Sequence, residues 1–483
     1  MQDELGLALN AILADRCGEI SALELLRLAH ERTRNVSLKE LREEIHAANA
    51  GDHATGDFPT RNHAYRTLIA LVKRWPKREL HVHVSNSLSP QFISQLLASM
   101  APDDKQAVYK SALRVVNSFV ERLDKQSALS DVEAADRQSA VELRNRWNSP
   151  ARFAEDWSDS VEIAEILRPP PGSRFSHRAG LRDVVILRLQ DLTAAICYVA
   201  EECFRDGITR LELRFNPYKP ELLDFRQGRD GFEEQIENTV RAVSDGLAKA
   251  EQKVDDELGR RIGRMVFSFN RRKFRILENQ PDNSGLVSRI VSVLGMTRIR
   301  ACAELAERMV GVDFSGPDDE RTEQWNKVLR EAGRHGFFRT AHFDSLRLGR
   351  QYDTGHVLDA LDGLGEVIDH LDRIGHGLPL YCRTEIVSGH PSIARRFLQV
   401  RTKVKERGVV IECCPSTNLK SNKIQDYGKH PFHEWEASGF RLGLGIDGLA
   451  HWPASLSEEI VRLLLTSPND LPMRRMWEIA TCH

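Results

Sequence analysis

Glu79-Leu80-His81-Val82-His83-Val84 is the stretch on which the reading of the fold turns. In a strand, residues two apart face the same side, so His81 and His83 can present both imidazoles to one metal ion. By itself the pair also suits packed or solvated histidines. Working outward, residues 79–84 are the first of eight β-rich runs; the others are 208–216, 264–270, 309–315, 337–344, 373–378, 409–414 and 441–447. Each mixes β-branched and aromatic residues, several close on Pro, Gly or Asn, and longer helical patterns separate them. Strand–helix alternation repeated eight times predicts an α/β fold of the (β/α)8 TIM-barrel type rather than an open sheet.

The runs are unevenly spaced. From Val84 to Ile208 the chain is far longer than one crossover helix needs. That stretch reads as a helical insertion after the first strand, at about 100–180, with helices expected near 105–123 and 132–147. An insertion there overlies the mouth of the barrel and suits either a lid or an oligomerisation element. Residues 1–75 read as an N-terminal helical extension and 76–483 as the metal-dependent barrel. The chain ends inside a helical pattern, which fits a short last helix or a piece of a longer protein.

Composition narrows the class. With 483 residues, 41% hydrophobic and 29% charged, the chain suits one large barrel with additions. A formal net charge of −2 gives no global field to recruit nucleic acid or an anionic membrane. No apolar run reaches 18 residues, and the N-terminus lacks signal-peptide character. The eight cysteines form no CxxC pair and no even framework, as expected of reduced thiols. The expectation is a cytoplasmic enzyme with no nucleic-acid or membrane partner; a homo-oligomer is compatible with the sequence.

The other strand ends carry matching groups. The fifth run contains Thr340-Ala341-His342-Phe343-Asp344-Ser345, the sixth Ile374-Gly375-His376-Gly377, and the eighth Gly445-Ile446-Asp447-Gly448. Barrel strand ends meet at one mouth, so three histidines and an aspartate can converge there. Zinc accepts such a nitrogen–oxygen set and leaves a position open for water.

The order ELHVHV, LELRFNP, VGVDFSG, RTAHFDS, RIGHG, IECCPSTN and LGIDG resembles the adenosine and AMP deaminase family of metal-dependent amidohydrolases, over about residues 74–456. The resemblance implies one zinc ion held by His81, His83, His342 and Asp447. It implies that His376 orients and helps deprotonate the attacking water and stabilises the developing alkoxide. The IECCPSTN segment supports the fold more than the chemistry. Attack on an aromatic C–NH2 carbon also requires a proton for the ring nitrogen, and hence a general acid.

Here the chain departs from the family pattern. Ser345 stands where the family places a glutamate, and serine is a poor proton donor. Asp344, two residues after His342, shares its face if the strand extends that far, and is the candidate acid; a partner for a zinc-bound histidine is its other reading. Gly448 stands where the family has a second aspartate that contacts the purine. His451 or Trp452 can take over base contact or pack against the rim. Gly316, in Gly311-Val312-Asp313-Phe314-Ser315-Gly316, suits close ligand approach or a tight turn. Arg271, with Lys219, Arg272, Lys273, Lys420 and Lys423, follows strand ends where a phosphate can bind, although solvated surface charge is the plainer reading.

The resemblance therefore implies a zinc aminohydrolase for an adenine-type nucleoside or nucleotide. Two alternatives remain: hydrolysis of a different C–N bond, and a catalytically weak metal-binding barrel with a ligand-binding or assembly role.

Overall fold

The computed structural model describes residues 63–125, 129, 131–167, 176–226, 231–254, 259–278, 284–316, 323–344, 354–381, 390–420, 424, 426–449, 455–468 and 471–481. Its centre is a sheet of eight parallel strands hydrogen-bonded in sequence order. They are β1 (Lys77–His83), β2 (Ile208–Phe215), β3 (Ile262–Asn270), β4 (Met309–Ser315), β5 (Phe338–His342), β6 (Arg373–Gly375), β7 (Val410–Cys413) and β8 (Arg441–Leu444). A bridge between Val82 and Asp447 brings the eighth strand's exit back to the first. There His83 N donates to Asp447 O at 2.8 Å and Asp447 N donates to His81 O at 2.6 Å. The result is the (β/α)8 barrel that the alternation predicts.

Three strands, β5, β6 and β8, stop two or three residues short of their expected ends. β6 closes at Gly375, where His376 turns to φ 61°, and β8 closes at Leu444, three residues before Asp447, which has the same φ. β5 closes at His342, so strand alternation does not carry through to Asp344.

Both faces of a parallel barrel strand are covered, which is why these runs are rich in Val, Ile, Leu and Phe. Against that background the buried charges stand out: Glu79, Arg214, Asp313 and Glu412 are all enclosed within the strands.

Between β1 and β2 lie helices Pro90–Ser99, Pro102–Asp124, Asp131–Arg146, Pro150–Asp156, Ser160–Leu167 and Ser176–Asp183, ahead of Leu189–Arg205. Pro102 with Asp103 and Asp104 starts the longest of the six, placing proline and negative charge where a helix N-terminus favours both. Its buried residues Val108, Ala112, Val116, Phe119 and Leu123 recur at helical spacing. Trp147, Phe153 and Trp157 pack together beside it, and Trp147 Nε1 donates to the buried Asp156 Oδ2 at 3.0 Å.

Of the expected N-terminal extension, residues 1–62 lie outside the described residues. Helix His63–Lys73 is described, and Tyr65, Leu68 and Val72 are buried in the core. No described helix is long and apolar enough to cross a membrane. Cys197, Cys203, Cys302, Cys413 and Cys414 are free thiols, with Cys302 exposed.

Candidate active site

β1 carries His81 and His83 on one face, and β5 ends on His342. The three rings meet where these strands end. His81 Nε2 and His83 Nε2 lie 3.0 and 3.1 Å from His342 Nε2. Their ligand atoms all fall within 4.8 Å of one another, so this group could hold a metal ion.

The outward-facing nitrogens explain why. His81 Nδ1 lies 3.0 Å from Glu412 Oε2, and His342 Nδ1 lies 3.0 Å from Asp313 Oδ1. A carboxylate only accepts, so each Nδ1 carries the proton and each Nε2 turns a lone pair inward. Two lone pairs facing each other at 3.0 Å repel unless a cation lies between them. Two metal–nitrogen bonds of about 2.0–2.1 Å at a tetrahedral angle span roughly 3.3 Å, close to the separations seen. Burial, reinforced by the Arg214 guanidinium and the neighbouring rings, holds His81 well below the usual imidazole range. Burial and the His342 ring do the same for His83. Neutral imidazole is the metal-binding form. The donor set fits the group.

Asp447 sits at the rim of this cluster. Its Oδ1 is 3.8 Å from His83 Nε2 and 4.0 Å from His81 Nε2. His376 is buried, with its ring centroid 5.0 Å from that of His81 and 5.3 Å from that of His342. Its Nδ1 lies 3.1 Å from Asn418 Oδ1, and Asn418 Nδ2 lies 3.0 Å from His430 Nε2. The five residues His81, His83, His342, His376 and Asp447 are thus brought together. Gly445 is required beside them, because a Cβ there would lie 2.5 Å from that of His81.

The remaining candidates are placed less uniformly. Asp344 is half-buried, two residues beyond β5. Arg271 is buried; its Nη1 donates to Gly316 O at 3.0 Å and its Nη2 to His342 O at 2.9 Å. It therefore braces the ends of β4 and β5. Gly316 receives that bond at φ 84°. Gly448 is pressed against Asn86: a Cβ would lie 2.4 Å from Asn86 Cβ and 2.5 Å from Asn86 O. No second carboxylate fits at that position without moving the backbone. Lys219 is buried, while Lys273 is exposed with its Nζ 3.8 Å from Glu221 Oε1. Ser345, Lys423, His451 and Trp452 lie outside the described residues, as does the side chain of Lys420.

Sequence reasoning missed the residues that hold the histidines. Glu412 and Asn418 fall in IECCPSTN, so that segment does more than support the fold. Arg214, in LELRFNP, lies between the two carboxylates: its Nη1 is 3.1 Å from Asp313 Oδ1, and its Nη2 bonds Glu412 Oε2. Burial pushes the Asp313 carboxyl up, but the His342 ring and the Arg214 guanidinium outweigh it and hold it far below the carboxylate range. The readable signal was a charge in the middle of an apolar barrel strand, which must be paired.

No family model matches the chain. Among individual proteins, it is 22% identical over 291 residues to an adenosine deaminase of Clostridium perfringens, covering 59% of this chain and 70% of that protein. It is 24% identical over 304 residues to adenosine deaminase 1 of Streptomyces coelicolor, covering 60% and 62%. Among solved structures, the Arabidopsis N6-mAMP deaminase shares the fold with a TM-score of 0.53 at 17% identity, over 85% of this chain and 92% of that one. Similarity in sequence to adenosine deaminases, together with the shared barrel, makes this chain adenosine/AMP deaminase-like and supports a hydrolase.

Proposed function

We propose that the chain is a zinc-dependent aminohydrolase that deaminates an adenine-type nucleoside or nucleotide. The observation that carries this reading is the inward convergence of three histidine Nε2 atoms whose Nδ1 atoms are committed, for His81 and His342, to buried carboxylates.

One zinc ion would be held by His81, His83, His342 and Asp447. Bound zinc supplies a Lewis acid that brings the pKa of water down to about 7. His376 accepts the proton of the attacking water and steadies the negative charge that develops on oxygen. Asn418, bonded to Nδ1, fixes that ring so that Nε2 is the nitrogen available for the transfer. Asp344 delivers a proton to the ring nitrogen next to the amino-bearing carbon. The amine leaves as the carbon becomes a carbonyl. Arg271 and the rim residues Gly316, Ser345, Gly448 and His451 border the substrate in this reading.

Solved structures of the same fold in complex with IMP and with GMP, each with a TM-score of 0.50, support a nucleotide as the ligand class. A second reading, hydrolysis of another C–N bond, is favoured by one observation: Asn86 occupies the space a carboxylate at position 448 would need. The family relation supports a small-molecule partner, with no part for nucleic acid or membrane, and a cytoplasmic setting.

The test is amine release by the zinc-loaded protein from adenosine, deoxyadenosine, AMP, dAMP, ATP and N6-methyl-AMP, with His81→Ala alongside. Ammonia or methylamine from any of these, absent in the variant, supports deamination and reads out the phosphate requirement. Silence on all six with zinc bound sinks it in favour of a different C–N substrate or a non-catalytic barrel.

A further inference from the structure

The side chain of Arg214 is fully buried at the centre of the barrel, among groups that the deamination reading leaves unused. Its guanidinium reaches three strands besides its own. Nη1 lies 3.1 Å from Asp313 Oδ1 on β4, Nη2 bonds Glu412 Oε2 on β7, and Nη2 also donates to Leu80 O on β1 at 3.1 Å. The last contact falls on the residue just before His81. We infer that Arg214 is a positioning residue that sets the metal affinity of the site, by locking the two carboxylates that orient His81 and His342. This rests on the metal-centre reading above.

The argument is one of geometry and charge. Asp313 Oδ1 faces both His342 Nδ1 and Arg214, while Ser268 Oγ donates to Oδ2 at 2.7 Å. Glu412 Oε2 faces His81 Nδ1 and Arg214, and Thr340 Oγ1 donates to it at 3.3 Å. Within this cluster Arg214 is the cation common to both carboxylates. Arg373 approaches only the far oxygen of Glu412, at 3.6 Å, and spends its short contacts on Glu212. Without Arg214, two buried carboxylates would face each other with hydroxyl and imidazole donors and, at the far oxygen of Glu412, Arg373 at 3.6 Å. They would move apart, and that movement releases the Nδ1–H anchors that aim Nε2 at the ion. A planar fork spans two carboxylates at once, and an ammonium does not.

The experiment is competition for zinc against a chromophoric chelator, with unfolding temperatures recorded in excess EDTA. Parent, Arg214→Lys and Arg214→Met are compared, and Arg214→Lys is combined with Asp313→Asn. The expected result is zinc affinity about 10–100-fold weaker in both Arg214 variants, the range found for partners of metal-bound histidines. The losses from Arg214→Lys and Asp313→Asn should be less than additive, because both loosen one anchor. A purely structural role would lower the unfolding temperature in EDTA while the folded fraction still bound zinc as the parent does. Parent-like affinity in Arg214→Lys overturns the inference. So does failure of both variants to fold in saturating zinc, which would assign Arg214 to barrel assembly instead. A parent that takes up no zinc would contradict the metal-centre reading itself, a result distinct from either.

Discussion

His376 and Asp447 share one backbone conformation: each has φ 61°, and they are the non-glycine residues with positive φ among those described. β6 thus ends at a left-handed residue, and the segment that follows β8 carries the other at Asp447, three residues past Leu444. Each turn swings a site residue toward the histidine cluster. Such conformations cost about 1–3 kcal/mol and persist where the surroundings enforce them. Comparing Asp447→Gly with Asp447→Ala isolates that cost, since both remove the carboxylate. Metal-free Asp447→Gly should be more stable than Asp447→Ala by about 1 kcal/mol in chemical denaturation. Equal stabilities would mean that the turn is relaxed.

In the proposed reaction Asp344 is the proton donor in place of Ser345. General acids contribute about 100- to 10,000-fold. Asp344→Asn should lower kcat by at least about 100-fold while zinc content per chain stays at the parent value. Unchanged kcat would remove Asp344 from the chemistry, and a parallel loss of zinc would make it a support of the metal site instead.

Gly448 sits against Asn86, leaving no room for a Cβ. Its missing Cβ would meet both the side chain and the carbonyl of Asn86. Gly448→Ala should cost about 1–3 kcal/mol, the usual penalty for overpacking, and Asn86→Ala should not restore it, because the carbonyl stays in place. A Gly448→Ala variant as stable as the parent would show that the Asn86 segment yields easily.

A second buried polar network should leave a pH signature. Ser416, Tyr427 and Arg462 surround Glu459, with Glu458 nearby. Burial pushes the Glu459 carboxyl up to about 7, against the pull of Arg462. The fold therefore binds this proton more tightly than the unfolded chain does. The stabilisation is complete below the unfolded carboxylate pKa and is lost as pH rises through about 7. Between pH 5 and 8 the unfolding temperature of the parent should fall more steeply than that of Glu459→Gln. Parallel curves would contradict the assignment.

The barrel and the metal-binding face were legible from local pattern. Eight β-rich runs sit where the eight strands are, and the period of two that pairs His81 with His83 holds in β1. Strand ends were less legible: nothing local in Ile374-Gly375-His376 or Ile446-Asp447 announces a left-handed residue. Arg214 and Glu412 are 198 positions apart, so their pairing across β2 and β7 is a property of closure. What the sequence offered was a lone charge in β7, Glu412, and three charges in β2, which says that partners exist without naming them. The base-reading side stayed obscure because Ser345 and Gly448 differ from the residues that the resemblance leads one to expect there.

The central claim is that the three-histidine centre holds one zinc ion and that this ion is needed for amine release. The most direct measurement reloads metal-free protein stepwise with zinc and follows amine release from the best substrate of the panel. The account predicts none without metal, a linear rise to a plateau at one ion per chain, and none at any loading for His342→Ala. Turnover by the metal-free protein, or by His342→Ala at the parent rate, would contradict it.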